Sequence, residues 1–276
     1  HTVIRSNRRF TYEEVQEILE EEHEASPEDY NAPGDVLKPI EGGTPTTAFA
    51  PGTPERENLI ILNRMAKELR KKRFSAGAVD FDRQEVRFNI DEKGRPTGVY
   101  FKVAKDANKL IEEFMLLANR IVAKEIGGKE AIRREGDEAM RREGGEANRP
   151  FVYRVHDVPD PEKMVKLGNF IRQFGFHLRT SAKRSVQNKH INALLSSCQG
   201  TNSQTLIETL AIRSMAKAVY STSNIGHYGL AFTHYTHFTS PIRRYPDMMV
   251  HRLVARYLLQ SKATCRHDKE VLEEAC

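Results

Sequence analysis

The chain has 276 residues and 31.5 kDa, with 39% hydrophobic and 29% charged side chains, a composition that can bury a core and excludes wholesale disorder. No apolar run approaches the roughly 18–20 residues of a membrane-spanning helix, the first ten residues lack a signal core, and Cys198, Cys265 and Cys276 are too few and scattered for a disulfide framework. A net charge of +5 and a pI near 9.0 permit a polyanionic partner without requiring one.

His1 is not a start methionine and Thr2-Val3-Ile4 reads as a strand already under way, so the sequence is expected to be part of a longer chain. Thr11 and Glu14 form a capping box that opens a helix to about Glu22, with Val15, Ile18 and Leu19 on one face. Residues 23–53 are rich in Pro, Gly, Thr and Ala without period and read as an irregular excursion. Thr53-Pro54 starts a second helix with Leu59, Leu62, Met65, Ala66 and Leu69 expected inward, closed by the cations Arg70 to Arg73. Val86 to Ile90 and Thr97 to Val103 alternate about Asp91-Glu92-Lys93-Gly94, the pattern of a hairpin.

Asp106 is expected to cap a long helix to Ile126, with Leu110, Phe114, Leu117, Ala118 and Ile121 inward and Gly127-Gly128 as the stop. Residues 128–148 carry a near-repeat of Arg, Glu and Gly with almost no apolar content and read as a charged flexible insertion. Phe151 to Val155 is a strand, and Asp160-Pro161 begins a helix through Met164, Leu167 and Ile171 to Gly175. A further helix is expected over Ser203 to Tyr220 with Leu206, Ile207, Leu210 and Met215 inward, and a last one from Pro246 to Leu259. The alternation predicts an α/β or mixed α+β domain with several long helices and a β-hairpin.

The richest chemistry lies between His227 and Arg252, where imidazoles, hydroxyls, aromatic rings and the adjacent Arg243 and Arg244 are interleaved. These groups hold phosphates and stack bases. Pro241 disfavours helix at Ser240, so both arginines should lie on a turn or a first helical turn. There they point apart, one free to meet a phosphate while the other braces an acidic residue such as Asp247 or a more distant phosphate. Candidate contacts to a phosphate or a base are His227, Tyr228, His237, Thr239, Ser240, Arg244 and Tyr245. Tyr228 and Tyr245 could equally be core residues, and His227, His234, His237 and His251 read better as ligand contacts or hydrogen-bonded structure than as zinc ligands.

The run His237-Phe238-Thr239-Ser240-Pro241-Ile242-Arg243-Arg244-Tyr245 resembles the signature of the RNase II/RNB family of 3′-to-5′ exoribonucleases. Ser6–Tyr12, Leu110–Asn119, Tyr153–Asp157 and Arg213–Tyr220 are similar to other family segments and fall in family order. The resemblance implies that residues 1–276 are the C-terminal part of an RNB-type catalytic domain acting on the 3′ end of single-stranded RNA, releasing nucleoside 5′-monophosphates with Mg2+. It puts Arg243 in the place of the catalytic arginine, Phe81 at the ring stacking on the 3′-terminal base and Glu113 at the carboxylate contacting the terminal nucleotide.

The aspartate cluster that holds magnesium in the family lies upstream of residues resembling Ser6 to Tyr12. Asp80 and Asp82 flank Phe81 on one face but supply too few carboxylates to replace it. No metal ligand is therefore expected in this chain, and the chain by itself is expected to be inactive. A non-catalytic RNA-binding module is the alternative. A monomer in a reducing cytoplasm, without a membrane partner, is expected.

Overall fold

The computed structural model describes residues 3, 5, 6, 8–25, 52–79, 85–91, 93–102, 104–127, 150–179, 184–259 and 272–274. The excursion at 23–53, the insertion at 128–148 and the segment bearing Asp80, Phe81 and Asp82 fall wholly or largely outside those residues. The elements are α1 (Tyr12–Ala25), α2 (Pro54–Ser75), β1 (Glu85–Ile90), β2 (Pro96–Lys102), α3 (Asp106–Ile126), β3 (Tyr153–Val155), α4 (Pro161–Ile171), α5 (Arg184–Cys198), α6 (Gln204–Ser214), β4 (Val219–Ser221) and α7 (Tyr245–Leu259). The chain divides into two units, residues 1–70 with 83–114 and residues 71–82 with 115–276, the boundaries falling inside α2 and α3.

In the first unit, local chemistry sets the ends of the elements. The Thr11 N–H donates to Glu14 Oε2 at 2.7 Å and the Glu14 N–H to Thr11 Oγ1 at 3.2 Å, the reciprocal pair expected at the start of α1. The Thr11 N–H and then Arg8 hold the Glu14 carboxyl below its ordinary value. β1 and β2 pair antiparallel with Phe88 opposite Val99. Their turn closes on Asp91, whose carboxylate accepts from the Lys93 and Arg95 N–H groups, while Gly94 takes a φ of 76°.

The buried stripe of α2 differs from the expected one. Ala66 is buried as expected, but Leu62 and Met65 are exposed and Arg56 and Asn63 are buried in their stead. Ion pairs account for this: Arg56 meets Glu21 at 2.6 Å, Lys67 meets Asp106 at 3.3 Å and Arg70 lies 3.9 Å from Glu113. A buried cation is tolerated where a carboxylate faces it.

In α3 the buried stripe is Ala107, Leu110, Glu113, Leu116, Asn119 and Ala123, while Ile121, expected inward, is about half exposed. Steps of three and four residues are kept, but the stripe is rotated so that two polar side chains lie on it.

The second unit has two main cores. One gathers Met164, Leu167 and Ile171 of α4, Ile191, Leu194 and Leu195 of α5, and Ile207 and Ala211 of α6, with Tyr228 among them. α4 starts as expected, with the Asp160 carboxylate accepting from the Glu162 N–H at 2.9 Å and Pro161 at its first position. α5 was not foreseen in the sequence. The other core packs Phe151, Val152, Tyr153 and Val155 against Met249, Val250, Leu253 and Tyr257 of α7 and Ala123 of α3.

α6 ends at Ser214, six residues before the expected Tyr220, because Met215 is extended (φ −78°, ψ 155°) and the chain then forms β4. Leu206, expected inward, is exposed. β4 pairs antiparallel with β3, placing Arg154 opposite Tyr220.

Candidate nucleic-acid interface

Between β4 and α7 the chain makes no helix or named strand, and several of its backbone groups pair with residues in and beside β3. The His156 N–H donates to Gly226 O at 3.0 Å, the Tyr228 N–H to His156 O at 2.8 Å, the Arg154 N–H to Tyr235 O at 2.9 Å and Thr236 Oγ1 to Val152 O at 2.6 Å. The segment is thus wound about one short buried strand. Gly226 is required in it: its φ is 78°, and an added Cβ would lie 3.0 Å from Phe232 O.

Rings fill the space inside this winding. His156 Nδ1 accepts from the Gly229 N–H at 3.1 Å, so its proton is on Nε2, 2.9 Å from Ala216 O. The ring of His156 contacts those of Tyr228 and His227, His227 contacts Tyr235, Tyr235 contacts His237, and His237 contacts Tyr220, with centroids 5.0–5.9 Å apart and edge-to-face geometry throughout. Arg154 lies 4.6 Å over the Tyr220 ring. Burial, reinforced by Arg244, pushes His237 down to about 4, so its imidazole is neutral at neutral pH; its Nδ1 is 2.7 Å from Tyr220 Oη.

One of the expected RNA contacts is corrected by this arrangement. Tyr228 is 0% exposed and offers no face to a base, because its ring gains more from burial among other rings than from exposure to water. His227 is half-buried between His156 and Tyr235, and its Nδ1 accepts from the Leu230 N–H at 3.2 Å.

Ahead of α7 the remaining candidates converge. Ser240 O accepts from the N–H groups of Arg243 and Arg244 at 3.3 and 3.1 Å, closing a turn. Asp247, in the first turn of α7, accepts on Oδ1 from the Ser240 N–H at 2.7 Å and from Arg244 Nη2 at 2.8 Å. Arg244 therefore braces Asp247, while Arg243 is exposed with Nη2 3.3 Å from Ser240 Oγ. Ile242 and Tyr245 on either side are exposed too, and Thr239 Oγ1 is buried without a hydrogen-bond partner among the described residues.

Thr239, Ser240, Arg243, Arg244 and Tyr245 thus share one turn, with His237 leading into it. Glu113 belongs to the other unit, is 3% exposed, and faces Arg70. Phe81 lies outside the described residues. Among the described residues no three His, Cys, Asp or Glu side chains are placed to hold a metal ion, and no helix is long and apolar enough to cross a membrane.

Asn119, which the sequence did not single out as functional, ties α3 to the ring-bearing segment. Its Nδ2 donates to Tyr235 Oη at 3.2 Å and its Oδ1 accepts from the Phe238 N–H at 3.0 Å. The sequence placed it at the end of the family-like run Leu110–Asn119 but off the expected inward stripe. His156 was similarly hidden, since nothing local distinguishes a histidine that anchors a loop more than seventy residues away.

The family model described as RNB domain matches residues 1–260. Ribonuclease R of Thermotoga maritima is 36% identical over 94% of this chain and 31% of its own length. Mycoplasma genitalium RNase R, solved in complex with ribose methylated single-stranded RNA, aligns with a TM-score of 0.61 and 25% identity over 78% of this chain and 31% of that one. Yeast Ssd1, a pseudonuclease, shares the fold at a TM-score of 0.51 and 20% identity, over 83% of this chain and 26% of its own. The chain therefore spans between a quarter and a third of the length of these relatives.

Proposed function

This chain belongs to the RNB family, and from that premise we propose that it forms the phosphate-gripping part of a hydrolytic exoribonuclease that shortens single-stranded RNA from its 3′ end and releases nucleoside 5′-monophosphates. The observation that carries the reading is the division of labour on one turn: Arg244 is committed to buried Asp247, and Arg243 is left exposed.

In this reading Arg243 donates from its planar fork to the phosphoryl oxygens on which negative charge grows as the diester is attacked. Arg244 neutralises Asp247, whose bare carboxylate would otherwise repel the same phosphate. Thr239 and Ser240 line the backbone path, and the neutral His237 supports the turn without adding charge. Phe81 keeps the base-stacking role that the resemblance implies, whereas Glu113, 3% exposed and facing Arg70, offers no open face to a nucleotide.

The divalent ion implied by the same resemblance finds no fitting donor set among the described residues, so no step is routed through it. We propose that its carboxylates come from outside the described residues and that the chain by itself binds RNA without shortening it. A cytoplasmic setting fits the sparse, scattered cysteines.

A second reading, an RNA-gripping module without hydrolysis, is favoured by the same lack of a donor set; a shared fold does not choose between the two, since a pseudonuclease has it too. End-labelled RNA incubated with magnesium and the natural full-length protein separates them. Stepwise shortening, with Arg243→Ala lowering kcat about a hundredfold and RNA affinity within about twofold, is expected. No shortening supports the module, and an affinity collapse with unchanged rate at saturating RNA makes Arg243 a backbone clamp.

A further inference from the structure

Asp247 is fully buried, at 0% exposure, in the first turn of α7. A buried carboxylate is costly unless its acceptor sites are filled. Here one oxygen, Oδ1, is shared by the Ser240 N–H at 2.7 Å and Arg244 Nη2 at 2.8 Å, so a single atom ties together the two ends of the turn that carries Arg243. From Ser240 the linkage continues to Arg243, because Ser240 O accepts from the Arg243 N–H at 3.3 Å and Ser240 Oγ accepts from Arg243 Nη2 at 3.3 Å. Asp247 Oδ2 and Arg244 Nε are buried without a hydrogen-bond partner among the described residues. The ion pair is therefore one-point and not the two-point fork that arginine can make. With one point of contact, Arg244 cannot orient the carboxylate alone, and the Ser240 N–H sets its direction as well.

We propose that Asp247 is a positioning residue for Arg243, holding the turn so that the Arg243 guanidinium faces outward while Arg244 is kept from the phosphate. The proposal rests on the reading of Arg243 given above. It has a consequence that a purely structural role lacks. Asparagine at this position retains a carbonyl to accept from the Ser240 N–H but removes the charge that restrains Arg244. Arg244 then becomes a competing phosphate ligand, so the rate falls while binding does not weaken.

The test uses the natural full-length protein and a single-stranded RNA. Asp247→Asn is expected to lower kcat about tenfold with KM and RNA affinity unchanged within twofold or slightly tighter, and to add less than a twofold loss in an Arg243→Ala background, since a positioning residue has nothing left to position there. Losses that multiply in the double variant overturn the proposal, as does an unchanged kcat in the single one. If Asp247→Asn does not fold, Arg244→Lys probes the same clamp from its other end, with the same loss expected and the same disappearance when Arg243 is alanine. Should Arg243→Ala itself leave turnover intact, the reading of Arg243 falls, and the positioning role is then decided by a crystal structure of Asp247→Asn. A displaced 240–244 turn supports the role, and an unmoved turn with Arg243 in place overturns it.

Discussion

Asn119→Ala is a direct probe of how α3 supports the ring-bearing segment. Asn119 is 2% exposed and uses both ends of its amide, donating to Tyr235 Oη and accepting from the Phe238 N–H. Alanine removes two hydrogen bonds, each contributing about 1 kcal/mol net, strands the half-buried Phe238 N–H, and leaves a small void beside Tyr235. The sum is about 2–3 kcal/mol. At roughly 2 °C per kcal/mol for a chain of this size, the melting temperature should fall by about 5 °C, and the Phe238 amide should exchange faster with solvent deuterium than its neighbours. Tyr235→Phe should then cost about 1 kcal/mol less in the Asn119→Ala background than alone, because its partner has gone. A melting temperature within 1 °C of the unsubstituted protein, or full additivity of the two changes, would refute the reasoning.

Gly127→Ala should be among the more damaging single changes, by more than about 2 kcal/mol in denaturant melts, because the new Cβ would lie 2.5 Å from Tyr153 Oη and 2.6 Å from Ala123 O. Tyr228→Ala should cost about 3–5 kcal/mol, with RNA affinity of the folded fraction unchanged; a selective loss of binding would return Tyr228 to the interface. His237 sits at about 4 when folded against about 6.5 in an unfolded chain. The unfolded state therefore takes up its proton first. The contribution of His237 to stability should be complete above about pH 6.5 and decline toward pH 4, and His237→Gln should flatten that part of the curve of stability against pH.

Where an element's geometry is decided by residues within about four positions, the sequence was sufficient. The Thr11–Glu14 box, the Asp160-Pro161 start of α4 and the Asp91–Gly94 turn formed as expected, because a side chain capping its neighbour's N–H needs no distant partner. The placement of Arg243 and Arg244 on one turn, with Arg244 against Asp247, was partly legible for the same reason, since Ser240, Pro241 and Asp247 all lie within four residues of one or the other. Tertiary structure alone decided which face of α2 and α3 turns inward, because buried Arg56 and Glu113 each face an opposite charge brought from another helix. It also ended α6 early, by recruiting Val219–Ser221 into pairing with β3. Above all, it determined which rings of the 227–238 segment are buried. Alternation and composition record that a tyrosine or histidine is present, but burial depends on atoms 70 to 120 residues away, such as His156 against Gly229 and Asn119 against Tyr235, and no local pattern encodes them.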